Sequence, residues 1–136
     1  MDNTIVNLKS KLEIYKAMSD GGNLADCPVR DVMQGLSGKW SSLLMGALAE
    51  QPYRFGELRR LVPDISQRML TQTLHDLQRD GYVHREVFPT KPPSVEYSLT
   101  DLGRSMFGAL HQLILWAELN HDAVREARAG FDAAQA

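Results

Sequence analysis

A chain of 136 residues with 43% apolar and 24% charged side chains has the size and composition of one globular domain, able to bury roughly two-thirds of its unfolded surface without a disulfide or metal staple. No run of about 18 apolar residues offers a transmembrane span, and Met1 to Lys9 lack the apolar core of a signal peptide, so no membrane partner is expected and the cytoplasm is the expected compartment. The formal net charge of −2 favours no partner, but residues 53–95 carry seven Arg or Lys against five Asp or Glu between acidic flanks, so the middle segment is the one suited to a polyanion.

Ile5, Leu8, Leu12 and Tyr15 share one helical face, which predicts an amphipathic helix over residues 4–18. Ser19-Asp20-Gly21-Gly22-Asn23 breaks it. A short helix starts at Cys27-Pro28, since proline suits the first helical position. Gly35 and Gly38 bend the chain, and Lys39 to Glu50 follows as a helix with Trp40, Leu43, Leu44, Ala47 and Leu48 as its core stripe. Pro52 ends that helix by pushing Gln51 out of the helical region.

Residues 55–62 form a short helix with Phe55, Leu58, Leu61 and Val62 inward, closed by Pro63. Val62 to Ile65 turn the chain, Ser66 caps the next helix, and that helix runs to Arg79, with Gly81 as its left-handed stop. Tyr82–Phe88 and Ser94–Leu99 read as paired strands, the second alternating Val95, Tyr97 and Leu99 with polar residues. Pro89-Thr90-Lys91-Pro92-Pro93 joins them as a stiff projecting loop. Thr100 caps a long helix from Asp101 to about Asn120, and a last helix is expected over Asp122–Ala129.

This order predicts a mainly α fold with a small β-hairpin, the layout of a winged helix-turn-helix with its turn at Val62–Ile65. The organisation is an N-terminal helix and loop over 1–26, the winged core over 27–100, and a C-terminal helix and tail over 101–136.

On a helical wheel starting at Ser66, Leu70, Thr73, Leu74 and Leu77 gather on one side and Arg68, Gln72, His75 and Arg79 on the other. One side docks on the domain, and the other offers long donors to a groove of double-stranded DNA. Arg pairs bidentately with guanine, Gln with adenine, and a Thr methyl meets the thymine methyl. Recognition helices read bases with their N-terminal turns, which selects Ser66, Gln67, Arg68, Thr71, Gln72 and His75. No carboxylate between Ser66 and His75 opposes phosphate. Thr90 and Lys91 at the hairpin tip and Arg85 on its strand suit phosphate or minor-groove contact. Arg54, Arg59 and Arg60 surround the helix that would cross the backbone, with Arg54 the chosen contact.

Cys27-Pro28-Val29, Gly38-Lys39-Trp40, Arg54-Phe55-Gly56-Glu57-Leu58, Val62-Pro63-Asp64-Ile65-Ser66, Leu70-Thr71, Asp80-Gly81-Tyr82-Val83 and Val95-Glu96-Tyr97-Ser98-Leu99-Thr100 together resemble the HxlR-type winged-helix transcriptional regulators of bacteria. The resemblance spans residues 27–117. It implies a homodimer on a pseudo-palindromic operator, more often a repressor than an activator, whose N- and C-terminal helices build the dimer interface. Here that interface would use Ile5, Leu8, Leu12, Tyr15, Leu102, Met106, Leu110, Leu113 and Ala117. Phe107, Ile114 and Trp116 make the C-terminal helix apolar on more than one face, which also asks for a partner surface. The N-terminal lead-in and the Ala-rich tail depart from the usual pattern and leave operator spacing open.

The resemblance further implies a sensing role for Cys27, because some family members detect oxidants, quinones or aldehydes through a cysteine in this Cys-Pro-Val position. Arg30, one turn on, favours the thiolate, while Asp26 and Asp31 oppose it. As the only cysteine, Cys27 can be alkylated, form a mixed disulfide, or pair with Cys27 of a second copy. The competing reading is a small packed hydrophobe. A small electrophile or an aromatic or aldehyde effector is the implied signal.

Enzyme chemistry is not expected. No nucleophile sits with a base, no glycine-rich phosphate loop follows a strand, and His75, His84, His111 and His121 lack ligand spacing, so neither metal nor cofactor is expected. The alternative is a winged-helix protein-interaction module without specific DNA binding. It would carry an apolar patch on the outer face of the Ser66–Arg79 helix, where Met69 is the one large apolar side chain.

Overall fold

The computed structural model describes residues 28–36 and 38–136. The expected helix over 4–18, its stripe of Ile5, Leu8, Leu12 and Tyr15, and Cys27 lie outside the described residues.

Pro28 opens α1 (Pro28–Leu36). The next helix, α2 (Ser41–Glu50), starts two residues later than the spacing predicts, because Gly38 to Trp40 form a turn in which the Ser41 amide reaches the Gly38 carbonyl at 3.4 Å. Leu44, Met45 and Leu48 of α2 are buried almost completely. Gln51 is fully extended at φ −167° and ψ 163°, as a residue before proline must be kept out of the α region.

That extension carries the chain into a two-residue strand, β1 (Tyr53–Arg54), which the sequence reading does not include. The α3 helix (Phe55–Leu61) follows at once, its start held by the Arg54 amide donating to Glu57 Oε1 at 2.8 Å. The turn to α4 (Gln67–Arg79) is pinned from inside. Val62 and Ile65 are both buried, and the Ile65 amide donates to the Val62 carbonyl at 3.2 Å.

Gly81 stops α4 at φ +85°. The Gly81 amide donates to the Gln78 carbonyl and the Tyr82 amide to the Leu77 carbonyl, each at 3.0 Å, the paired bonds of a Schellman ending. The chain then enters β2 (Val83–Phe88) and returns along β3 (Ser94–Leu99). The register runs from Val83 opposite Leu99 to Phe88 opposite Ser94. β1 pairs with the free edge of β3, Tyr53 opposite Tyr97, so the hairpin belongs to a three-stranded sheet ordered β1-β3-β2.

The C-terminal segment forms one helix, α5 (Asp101–Gln135), where the sequence reading expects two with a break near residue 121. Asn120 does not cap an end; its Nδ2 donates to the Trp116 carbonyl one turn back at 2.9 Å. With neither Gly nor Pro between residues 109 and 129, nothing interrupts the helical ladder. At 1.5 Å per residue it is about 50 Å long, and it packs against α2 and β3.

The core gathers Leu44, Met45, Leu48, Leu58, Leu70, Leu74 and Leu77, closed by Tyr82, Val83, Tyr97 and Leu99. Burial holds the Tyr82 hydroxyl above the ordinary phenol pKa, and the carboxylates of Asp80 and Asp31 push the same way. Leu43 and Leu61, expected inward, stay half-exposed. The seven-residue α3 turns only Leu58 fully onto the core, and Leu43 and Leu61 instead line an open groove of about 740 Å³ with Phe107, His111 and Ile114 of α5.

The junction of α4, sheet and α5 is the tightest place in the fold. Thr100 Oγ1 donates to the Gly81 carbonyl at 2.5 Å and accepts from the Gly103 amide at 3.0 Å, while the Thr100 amide donates to the Tyr82 carbonyl at 3.0 Å. A Cβ on Gly103 would collide with the Tyr82 carbonyl, reaching its carbon at 2.9 Å. Gly103→Ala should therefore lower stability by at least about 1–3 kcal/mol, the range of core overpacking, read as a lower urea midpoint. An unchanged midpoint would show that α5 can shift away from Tyr82 at no cost.

Candidate nucleic-acid interface

The α4 helix divides as its wheel predicts. Leu70, Thr73, Leu74 and Leu77 are buried, and Gln67, Arg68, Thr71, Gln72, His75 and Arg79 are exposed. The buried side seats the helix against α2 and β2. Ser66 caps it through Oγ, which accepts from the Met69 amide at 3.1 Å, and no carboxylate lies in the first turn. Met69 is the large apolar side chain on the outward side, at 43% exposure.

Two of the expected base-reading residues are held by neighbours that sequence reasoning did not assign to them. Arg59 Nη1 of α3 donates to Gln67 Oε1 at 3.3 Å, tying the two helices of the motif across their turn. Gln72 Nε2 donates to Asp76 Oδ1 at 2.9 Å, and His75 Nδ1 lies 3.6 Å from the same oxygen. Asp76 thus orients Gln72. The spacing of four on a helix is the signal that could have found this bond. Arg68 and Thr71 are exposed and make no side-chain hydrogen bond among the described residues, so they can reach a groove.

The hairpin forms the wing. Thr90 and Lys91 are exposed at its tip, and Thr90 Oγ1 donates to the Pro92 carbonyl at 2.8 Å, which stiffens the loop. Arg85 sits opposite Tyr97 in the ladder, so it shares the sheet face that Tyr97 turns towards the helices. Arg54 lies where β1 becomes α3. The fold brings Arg54 and Arg85 to one groove together with Arg60, which sequence reasoning placed beside α3 without choosing it as a contact.

Of the residues assigned to a dimer surface, Leu102 and Leu113 are 57% and 60% exposed and Ala117 is exposed. Leu110 is half-buried, and Met106 packs against the chain's own core. Further along α5, Trp116, Leu119 and Phe131 are also exposed. Among the described residues no group of three or more His, Cys, Asp or Glu side chains is placed to hold a metal, and no helix is long and apolar enough to cross a membrane.

The model of the HxlR-like helix-turn-helix family matches residues 35–125. The HTH-type transcriptional regulator YybR of Bacillus subtilis is 42% identical over 106 residues, 78% of this chain and 85% of YybR. YtfH of Escherichia coli, another HTH-type transcriptional regulator, is 38% identical over 124 residues, 88% of this chain and 98% of YtfH. Among solved structures, the redox regulator HypR in its reduced form superposes with a TM-score of 0.69 at 42% identity, covering 73% of this chain and 98% of HypR.

Proposed function

The chain belongs to the HxlR-like helix-turn-helix family, and from that footing we propose that it is a homodimeric repressor whose α4 helices read a pseudo-palindromic operator. DNA-binding transcriptional regulation is the function of the family, and its relatives are regulators of transcription, not enzymes. The observation that carries the residue-level reading is the outward side of α4. Arg68, Thr71, Gln72 and His75 share one exposed surface there, with Gln72 oriented by Asp76. Orientation before binding reduces the entropy lost on contact.

In this reading Ser66, Gln67, Arg68, Thr71, Gln72 and His75 enter the major groove, and Arg54, Arg85, Thr90 and Lys91 hold the backbone or the minor groove. The dimer rests on the exposed apolar side chains of α5, Leu113, Trp116, Leu119 and Phe131, which a single copy leaves in water at a cost of about 25 cal/mol per Å². A dimer clamped on an operator occludes whatever else must bind there, hence repression. Its working place is the cytoplasm, where bacterial DNA lies.

Anisotropy titration of reduced protein should show tighter, salt-sensitive binding to the intergenic DNA beside its own gene than to a scrambled duplex. Arg68→Ala should erase about 1–3 kcal/mol of that preference. Lys91→Ala should weaken both duplexes alike and lower the salt slope by about one. Undiminished preference in Arg68→Ala would remove α4 from base reading.

Cys27 is the residue we assign to signal reception, with a small electrophile or an aromatic or aldehyde compound as the effector. The support is its place in the Cys-Pro-Val segment and the likeness to HypR, which is a redox regulator. With one cysteine per chain, the switch is alkylation, a mixed disulfide or a Cys27–Cys27 bond between protomers. Cys27→Ser protein should bind the operator and keep binding it in the presence of diamide or a quinone, whereas the parent is released. Equal release of both proteins would exclude Cys27 as the receiver.

A further inference from the structure

Between the start of α3 and the inner face of the wing lies a groove of about 470 Å³. Three arginines from three different elements line it: Arg54 from the β1–α3 junction, Arg60 from α3 and Arg85 from β2. Arg60 folds back along its helix, so that a Cβ on Gly56 would lie 3.7 Å from Arg60 Nη1. The one carboxylate in the lining, Glu57, already accepts from the Arg54 amide. The one ion pair among the described residues is that of His75 with Asp76, so none of the three arginines is ion-paired and the lining sets three cations against the single carboxylate of Glu57.

A second observation points to the same place. Ser94 lines the groove, and its Oγ is the buried side-chain atom left without a hydrogen-bond partner among the described residues. A withdrawn hydroxyl with no bond is destabilising, so the site gains when an acceptor arrives. Because Ser94 has no bond to lose, turning its hydroxyl towards the groove costs little beyond the rotamer change.

Resting on the DNA-binding reading, we propose that Arg54, Arg60, Arg85 and Ser94 form a subsite for one phosphate-type oxyanion. Planar guanidinium forks match the oxygens of such a group bidentately, and the hydroxyl supplies a further donor. The oxyanion is either a backbone phosphate of bound DNA or a free small anion, since both present the same oxygens. Arg60 and Ser94 are the members that a reading confined to α4 and the wing tip would miss.

The test uses the full chain, a non-specific duplex and inorganic phosphate. Parent, Arg60→Gln and Ser94→Ala proteins are first matched for fold by circular dichroism and urea midpoint. Binding of the duplex is then followed from 50 to 200 mM salt, and the Arg side-chain N–H resonances are followed on adding phosphate at constant ionic strength. A salt slope lower by about one in Arg60→Gln, with weaker duplex binding by Ser94→Ala, supports the subsite with DNA as the source. Saturable phosphate shifts that vanish in Arg60→Gln, with the slope unchanged, support it with a free anion as the source. Parent-like slope in both variants together with no saturable phosphate shift overturns it. Because the duplex carries no operator, a chain that fails to prefer any sequence would sink the regulator reading while leaving this measurement decisive.

Discussion

Everything that faces outward in this fold depends on one close approach, that of Gly103 to the Tyr82 carbonyl. Tyr82 follows the end of α4 and leads into the wing, while Gly103 lies in the first turn of α5. The absence of a side chain at 103 lets the helix backbone rest on the strand entry, and the Thr100 hydroxyl bridges the Gly81 carbonyl and the Gly103 amide across the same gap. The α4 helix, the wing and the long C-terminal helix therefore meet at one closely packed corner. In a dimer built through α5, that corner would relay the separation of two α5 helices to the separation of two α4 helices.

Electrostatics then divides the molecule by function. The acidic flanks and the weakly basic middle leave the whole chain near neutrality, so long-range attraction to DNA is modest and local geometry must supply affinity. Two side chains on the outward side of α4 are already held in place: Gln67 by Arg59 and Gln72 by Asp76. A carboxylate on a DNA-facing helix repels phosphate when free. Asp76 is not free in this sense: it accepts from Gln72 Nε2 and lies 3.6 Å from His75 Nδ1.

Much of this was legible in the residues. The alternation of Val95, Tyr97 and Leu99, the Ser66 and Thr100 caps and the Gly81 stop each have a local cause, and each appears where that cause puts it. The two-residue strand β1 was not legible, because two residues carry no alternation and its pairing depends on β3, some forty residues away. The single α5 was missed because Asn120 and Asp122 read as end signals, yet a polar residue can bond back into its own helix. Leu43 and Leu61 look like core in the sequence, and only the packing of α5 decides that they line a groove instead. The convergence of Arg54, Arg60 and Arg85 is tertiary in the same sense, since three separate elements meet there.

The central claim is that the outward side of α4 reads the major groove beside a wing that holds the flanking backbone. Dimethyl sulfate interference on a preferred duplex tests it most directly, because methylation at guanine N7 blocks the major-groove edge and methylation at adenine N3 blocks the minor groove. The expected pattern is loss of binding when guanine N7 is methylated at discrete positions in each half-site, one of which becomes indifferent in Arg68→Ala. Full binding to duplexes methylated at every guanine N7 would contradict the placement of α4.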